Sequence, residues 1–163
     1  AWMYKHVGLH RAYYSAFVPV ADTPLDGRPP TSARRENRLY QADWLIRYYG
    51  FSVNELAFDE DGNLPTEIDP KLAWARRHPE FFPVELRDAE LDELIRVPGI
   101  GRRSGERIIK ARESVGGLNG PQDVEKLGVL VRRAWRYVVV NGKRLIMPED
   151  RGVEQLDLFA PEM

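Results

Sequence analysis

The stretch that most limits how this chain can fold is LIRVPGIGRRSGERIIKAR, residues 94–112. Leu91, Leu94 and Ile95 share one helical face with Asp88 as a cap, and the helix stops at Val97-Pro98 because the residue before a proline is driven out of helical angles. A second helical pattern starts near Arg102 and lasts to about Ser114, where Gly116-Gly117 end it. Helices joined by so short a turn form a hairpin. Ile100 must then plug the core between them, while Gly99 and Gly101 permit backbone angles that a side chain would obstruct. The turn's amide hydrogens are expected to face outward at the start of the second helix, where unpaired N–H groups and the helix dipole favour an anion. Arg102, Arg103 and Arg107 surround that point with positive charge, and Ser104 is counted with them. A phosphate oxygen is the natural occupant. No group in the set tells one base from another, so the expected contact is to a nucleic-acid backbone, without sequence reading. A hairpin used only for packing is the plain alternative.

The design recurs once, with helices expected over 121–127 and about 131–140. At an offset of 29 residues Gly99 falls on Gly128, Ile100 on Val129, Arg103 on Arg132, Ser104 on Arg133, Gly105 on Ala134 and Ile109 on Val138. Gly101, however, falls on Leu130, and the first helix needs a one-residue shift before Leu127 matches Val97. This degenerate copy is expected to support the intact one more than to bind; Gly128, Arg132, Arg133 and Arg136 complete the DNA-binding set.

Charge follows the same division. Residues 96–144 hold twelve Lys or Arg against four acids, a net +8 that leaves −9 for the rest of a chain whose total is −1. A basic module on an acidic body fits a polyanionic partner, although arginines on solvated helix faces give the same count. The 163 residues contain no cysteine, which excludes disulfides, cysteine nucleophiles, thiolate metal sites and any iron–sulfur cluster held by this chain alone. No apolar run is long enough for a membrane span and no signal-like segment opens the chain, so the expected location is the cytoplasm, in association with the nucleoid. The sequence opens at Ala1, so it is read as either a processed product or a piece of something longer.

Before the hairpins, RAYYSAFVPV (11–20) reads as a strand covered on both faces. Leu39, Ala42, Ile46 and Tyr49 are spaced for a helix from about Ala33, capped by Thr31 or Ser32 and closed by Gly50. Asp69-Pro70 starts a short helix that Pro79 forbids to continue. His6 and His10 stand four apart, but Gly8 lies between them and no third ligand is evident, so no metal site is expected. The pairs Tyr13-Tyr14 and Tyr48-Tyr49 are read as core, with stacking on bases as the other reading.

LIRVPGIGRRSGERII resembles the helix-hairpin-helix motif of DNA repair and recombination proteins. Leu94, Val97, Gly99, Ile100, Gly101 and Ile108 fall on its pattern, with Gly105 where alanine is usual. Such families often carry two motifs in tandem. RAYYSAFVPV followed by RRENRLYQADWLIRYYGF, DPKLAWA, FFPVEL and VPGIG also resembles the C-terminal part of the DNA modification or repair radical SAM proteins often linked to a uracil-DNA glycosylase, over roughly residues 11–145. That resemblance implies S-adenosylmethionine and a [4Fe–4S] cluster only for a longer parent, since the CxxxCxxC motif is absent here; the chain is either the C-terminal piece of such a protein, with RAYYSAFVPV as a late barrel strand, or a relative that has shed the cluster. Helix-hairpin-helix glycosylases place a catalytic Asp about where Asp123 stands, 22 residues after Gly101, yet NGPQDVEK reads as a helix start and no lysine replaces the hairpin arginines. No catalytic residue is therefore assigned. Finally, VEQLDLFAPEM resembles the bacterial sliding-clamp binding peptide. By that resemblance Gln155 is the polar anchor, Leu156 lies along the groove, and Leu158 and Phe159 fill an apolar pocket; docking on the protein's own surface is the alternative.

The expected fold class is mainly α: a tandem helix-hairpin-helix domain preceded by a strand and a long helix belonging to an incomplete barrel. Residues 1–53 form the strand-plus-helix segment, 54–83 an acidic connector with a short helix, 84–147 the tandem hairpins and 148–163 the flexible tail. The expected partners are the DNA backbone, a sliding clamp and a uracil-DNA glycosylase, with no membrane. The rival is a protein-interaction module whose basic helices dock an acidic partner such as a DNA glycosylase.

Overall fold

A computed structural model of the chain describes residues 2–114 and 117–145. Among these, helices predominate over a single three-stranded sheet, and no helix is long and apolar enough to cross a membrane. The chain divides into two compact units, Ala1–Trp74 and Ala75–Met163.

In the first unit, α1 spans Trp2–His6, α2 spans Ala33–Tyr48, and α3, Pro70–Arg77, begins near its end. Helix α2 forms where its sequence demands. Ser32 Oγ accepts the Arg35 amide at 3.3 Å, beside the Ser32 carbonyl at 3.0 Å, and so caps the first turn. At the other end Gly50 adopts φ +70°, and the chain folds back so that Phe51 N–H reaches the Leu45 carbonyl at 3.2 Å. Asp69 starts α3 by accepting the Leu72 amide at 2.9 Å. Ala42, Leu45, Phe51, Leu56, Ala57, Leu64, Ala73 and Trp74 are buried, with the Phe51 and Trp74 rings edge to face at 5.4 Å.

The expected strand at 11–20 is not one. Among the described residues no strand pairs with this segment. Its alternate amides are taken by side chains instead. Ala12 N–H donates to Tyr4 Oη, Tyr14 N–H to Tyr40 Oη and Ala16 N–H to Glu36 Oε2, at 3.0, 3.0 and 2.9 Å. Tyr40 also donates to the Tyr14 carbonyl at 3.0 Å, so one phenol satisfies both polar groups of a residue. Residues 12, 14 and 16 are half-buried while Arg11, Tyr13 and Ser15 are exposed. Period-two geometry is thus present without a sheet, and the reading of two covered faces is corrected to one. The tyrosine pairs split accordingly: Tyr14 packs edge to face on Tyr40, but Tyr13 is 77% exposed and Tyr48 is exposed beside Trp44.

A buried ionic cluster ties the start of the chain to α2. Asp43, 4% exposed, accepts from Tyr4 Oη on one oxygen and from Arg47 Nε at 2.8 Å on the other. Burial, then the hydrogen bond with Asp43, raises the Tyr4 hydroxyl above its ordinary pKa; Tyr14 is raised by burial and then by the Asp43 charge.

The second unit is built from β1 (Val84–Glu85), α4 (Leu91–Leu94), α5 (Arg102–Arg112), α6 (Pro121–Lys126), α7 (Val131–Ala134), β2 (Val138–Val140) and β3 (Lys143–Arg144). Strand β2 is central, parallel to β1 with Val84 opposite Val138, and antiparallel to β3 with Val140 opposite Lys143. The helix expected to run to residue 140 therefore ends early. Three consecutive valines favour a strand, and Asn141-Gly142, at φ +54° and +70°, turns it back on itself. The Glu85 carboxylate holds that turn by accepting the Asn141 and Gly142 amides at 3.1 and 2.7 Å. Helix α4 is capped from Glu90, whose N–H donates to Glu93 Oε2 at 2.8 Å, rather than from Asp88.

Candidate nucleic-acid interface

Helix α4, the Val97–Gly101 turn and α5 lie against one another, and α6, the turn at Gly128 and α7 repeat the arrangement. Residues that matched in sequence match in conformation. Gly99 and Gly128 have φ of +89° and +79°, and Ile100 and Val129 are 1% and 4% exposed. Both plugs fill the core as expected. Where Gly105 lies against α4, a Cβ would meet Leu91 Cδ1 at 2.9 Å; its counterpart Ala134 is fully buried.

The two turns also pack into each other reciprocally. A Cβ on Gly99 would stand 2.7 Å from the Leu130 carbonyl oxygen and 3.0 Å from Arg133 Cβ. One on Gly128 would stand 3.0 Å from Arg107 Nη1 and 3.6 Å from Ser104 Oγ. Since Ser104 and Arg133 are themselves counterparts, each turn glycine abuts the same position of the opposite copy. Leu130 N–H donates to the Gly99 carbonyl at 3.0 Å, and Ser104 Oγ donates to the Gly128 carbonyl at 2.8 Å. Ser104, placed beside the phosphate by the sequence reading, is thus 8% exposed and belongs to the seam between the copies. Its burial was visible only as its match with Arg133, which gave no hint that a hydroxyl would be needed there.

Glycine at the two turn positions has two different causes. Gly99 needs its left-handed angle and its close approach. Gly101 has φ −94° and ψ 169°, extended backbone open to any residue, and directly precedes α5. This explains how Leu130 can occupy the matching place in the second copy.

Around this seam Arg102, Arg103 and Arg107 on α5 are exposed, as are Arg132 and Arg133 on α7 and Arg136 just after it. Arg102 is bonded to Glu106 at 3.2 Å, and Arg136 lies 4.8 Å over the Trp135 ring. Arg103 and Arg107 make no ion pair or side-chain hydrogen bond among the described residues. An exposed cation without a carboxylate partner has no internal charge offsetting its attraction for an outside anion.

Asp123 accepts the Asn119 amide at 3.2 Å and has Lys126 Nζ at 4.0 Å, the work of a helix-start residue. His6 packs on Trp2 at 5.1 Å, and no group of three potential ligands for a metal occurs among the described residues. Gln155, Leu156, Leu158 and Phe159 lie outside the described residues.

No protein-family model and no solved structure matches the chain. One curated protein, an RNA replication protein of Strawberry mild yellow edge-associated virus, is 34% identical over 83 residues, half of this chain. The chain spans 6% of that protein's length, a likeness confined to a short segment.

Proposed function

We propose that the second unit is a tandem helix-hairpin-helix domain that binds duplex DNA through its phosphate backbone, with little sequence preference. The observation that carries this reading is the placement of Arg103 and Arg107, exposed and unpaired among the described residues, where α5 meets the paired turns. The start of α5 adds its backbone amides and the positive end of its dipole. Binding by the unit alone is weak, with a dissociation constant on the order of 10⁻⁴ to 10⁻⁶ M at physiological salt. Arg103→Glu and Arg107→Glu are expected to abolish gel retardation of a random-sequence duplex. Retardation unchanged in both refutes the reading; salt-sensitive capture of an acidic protein such as a DNA glycosylase, without DNA binding, favours a protein-docking module instead.

The wider setting rests on the sequence resemblances. The chain serves as the C-terminal module of a DNA repair or modification radical SAM protein, and its first unit forms the end of the parent's barrel. The exposed odd positions of residues 11–16 suit packing against such a neighbour. The [4Fe–4S] cluster does not fit this chain, which has no cysteine to ligate it, so no step of the parent's chemistry is assigned to these residues. Gln155, Leu156, Leu158 and Phe159 recruit a sliding clamp. Tethering raises the effective concentration at DNA, which makes a weak binder useful. Clamp pull-down should be lost when Leu158 and Phe159 are changed to alanine.

A further inference from the structure

Leu130 is the only exposed large hydrophobic residue among the described residues of the second unit, at 59% exposure. It stands where Gly101 stands in the first copy. Because that position uses ordinary extended angles in the first copy, a side chain there meets no backbone obstacle of the kind that makes Gly99 obligatory. The bond from Leu130 N–H to the Gly99 carbonyl fixes its backbone in the seam, and the side chain is left in water. Exposed Arg132 and Arg133 follow on α7, which begins at the next residue. Arg107 reaches over the adjoining Gly128.

An exposed apolar side chain beside a turn that carries Arg107 and followed by Arg132 and Arg133 calls for a partner with closely spaced anions and an apolar surface between them. A nucleic acid offers both, with phosphates along the groove walls and apolar sugar and base faces between them. Leucine is among the side chains that wedge between base steps and unstack them. We propose that Leu130 is such a wedge and that the preferred ligand is duplex DNA whose stacking is already weakened by a mismatch. The inference rests on the backbone-binding reading above and adds a preference that phosphate contacts alone cannot supply. Unstacking costs less at a mismatch than in paired DNA, so the gain from burying the leucine is retained there.

The test compares a short matched duplex with one carrying a single mismatch beside 2-aminopurine, using the full chain. The wild-type protein should prefer the mismatched duplex by about tenfold, the scale set by burying one leucine side chain, and should raise the 2-aminopurine emission. Leu130→Ala should lose both effects yet bind the matched duplex as before, while Leu130→Met should retain them. Equal binding of the two duplexes by the wild-type protein, or a preference and emission unchanged in Leu130→Ala, overturns the wedge but leaves backbone binding standing. Failure of the wild-type protein to bind either duplex, or binding indifferent to Arg103→Glu, overturns the backbone reading and the wedge with it.

Discussion

The two units close their interiors by different means. Of the twelve exposed large hydrophobic residues described, eleven lie in the first unit, nine of them at or before Tyr48, and one in the second. The first unit orders its early residues with side-chain-to-backbone bonds from α2 and with the cluster that half-buried Tyr4 and Arg47 form around buried Asp43. Those bonds satisfy polar groups, but they do not cover Trp2, Met3, Tyr13, Val18 or Trp44. The second unit instead has two helix pairs whose turns, at Gly99 and Gly128, pack into each other, each supplying the surface that the other needs to bury. Internal repetition completed one core, whereas the other region left an apolar surface of the kind that a neighbouring layer normally covers.

Substitutions can break this contrast, beginning where the largest effect is expected. Gly99→Ala forces a left-handed angle on a side chain and drives a Cβ against backbone oxygen at 2.7 Å. A loss of roughly 3–4 kcal/mol in urea unfolding is expected, from strain and overpacking together. Gly50→Ala in the first unit, at φ +70° but in open space, should cost only the strain, about 1–2 kcal/mol. Equal losses would show that the seam between the hairpins is not tight.

Asp43→Ala tests the first unit's dependence on its ionic cluster. Removing the carboxylate leaves Arg47 and Tyr4 without their partner, and a loss of about 3 kcal/mol is expected. The same cluster sets a pH response. Because folding raises the Tyr4 and Tyr14 hydroxyls above their ordinary value of about 10, their contribution is fully present below that value and is lost as pH rises through the raised ones. Tyrosine absorbance should therefore titrate late, with the first unit loosening as it does. In the second unit Ser104→Ala removes one bond across the seam and should cost about 1 kcal/mol. A neutral result would place the strength of the seam in glycine packing alone.

Several elements could be read directly from residues. Ser32, Gly50, Asp69-Pro70 and Pro79 delimit α2 and α3 because caps and prolines act locally. The repeat at 29 residues was likewise legible, and the aligned Gly99 and Gly128 share a left-handed angle, whereas Gly101, expected to need one as well, does not. The missed features depend on partners distant in sequence. Residues 11–20 have the composition of a strand, but strand identity needs a pairing neighbour, and tyrosine and glutamate side chains took that role. VVVNGKR carries the valines and Asn-Gly of the β2–β3 hairpin, but the repeat alignment extends a helix to about residue 140 across it. For the interface, the exposed arginines were visible in the sequence; the burial of Ser104 and the exposure of Leu130 follow from the reciprocal packing of the copies.

The account stands most directly on the salt dependence of duplex binding by the wild-type chain and by Arg103→Ala. Wild-type affinity should fall linearly with salt on logarithmic axes, and the substitution should reduce that slope by about one phosphate contact while weakening binding alike on unrelated matched sequences. A slope unaffected by Arg103→Ala, or affinity indifferent to salt, would contradict the assignment of this hairpin to the DNA backbone.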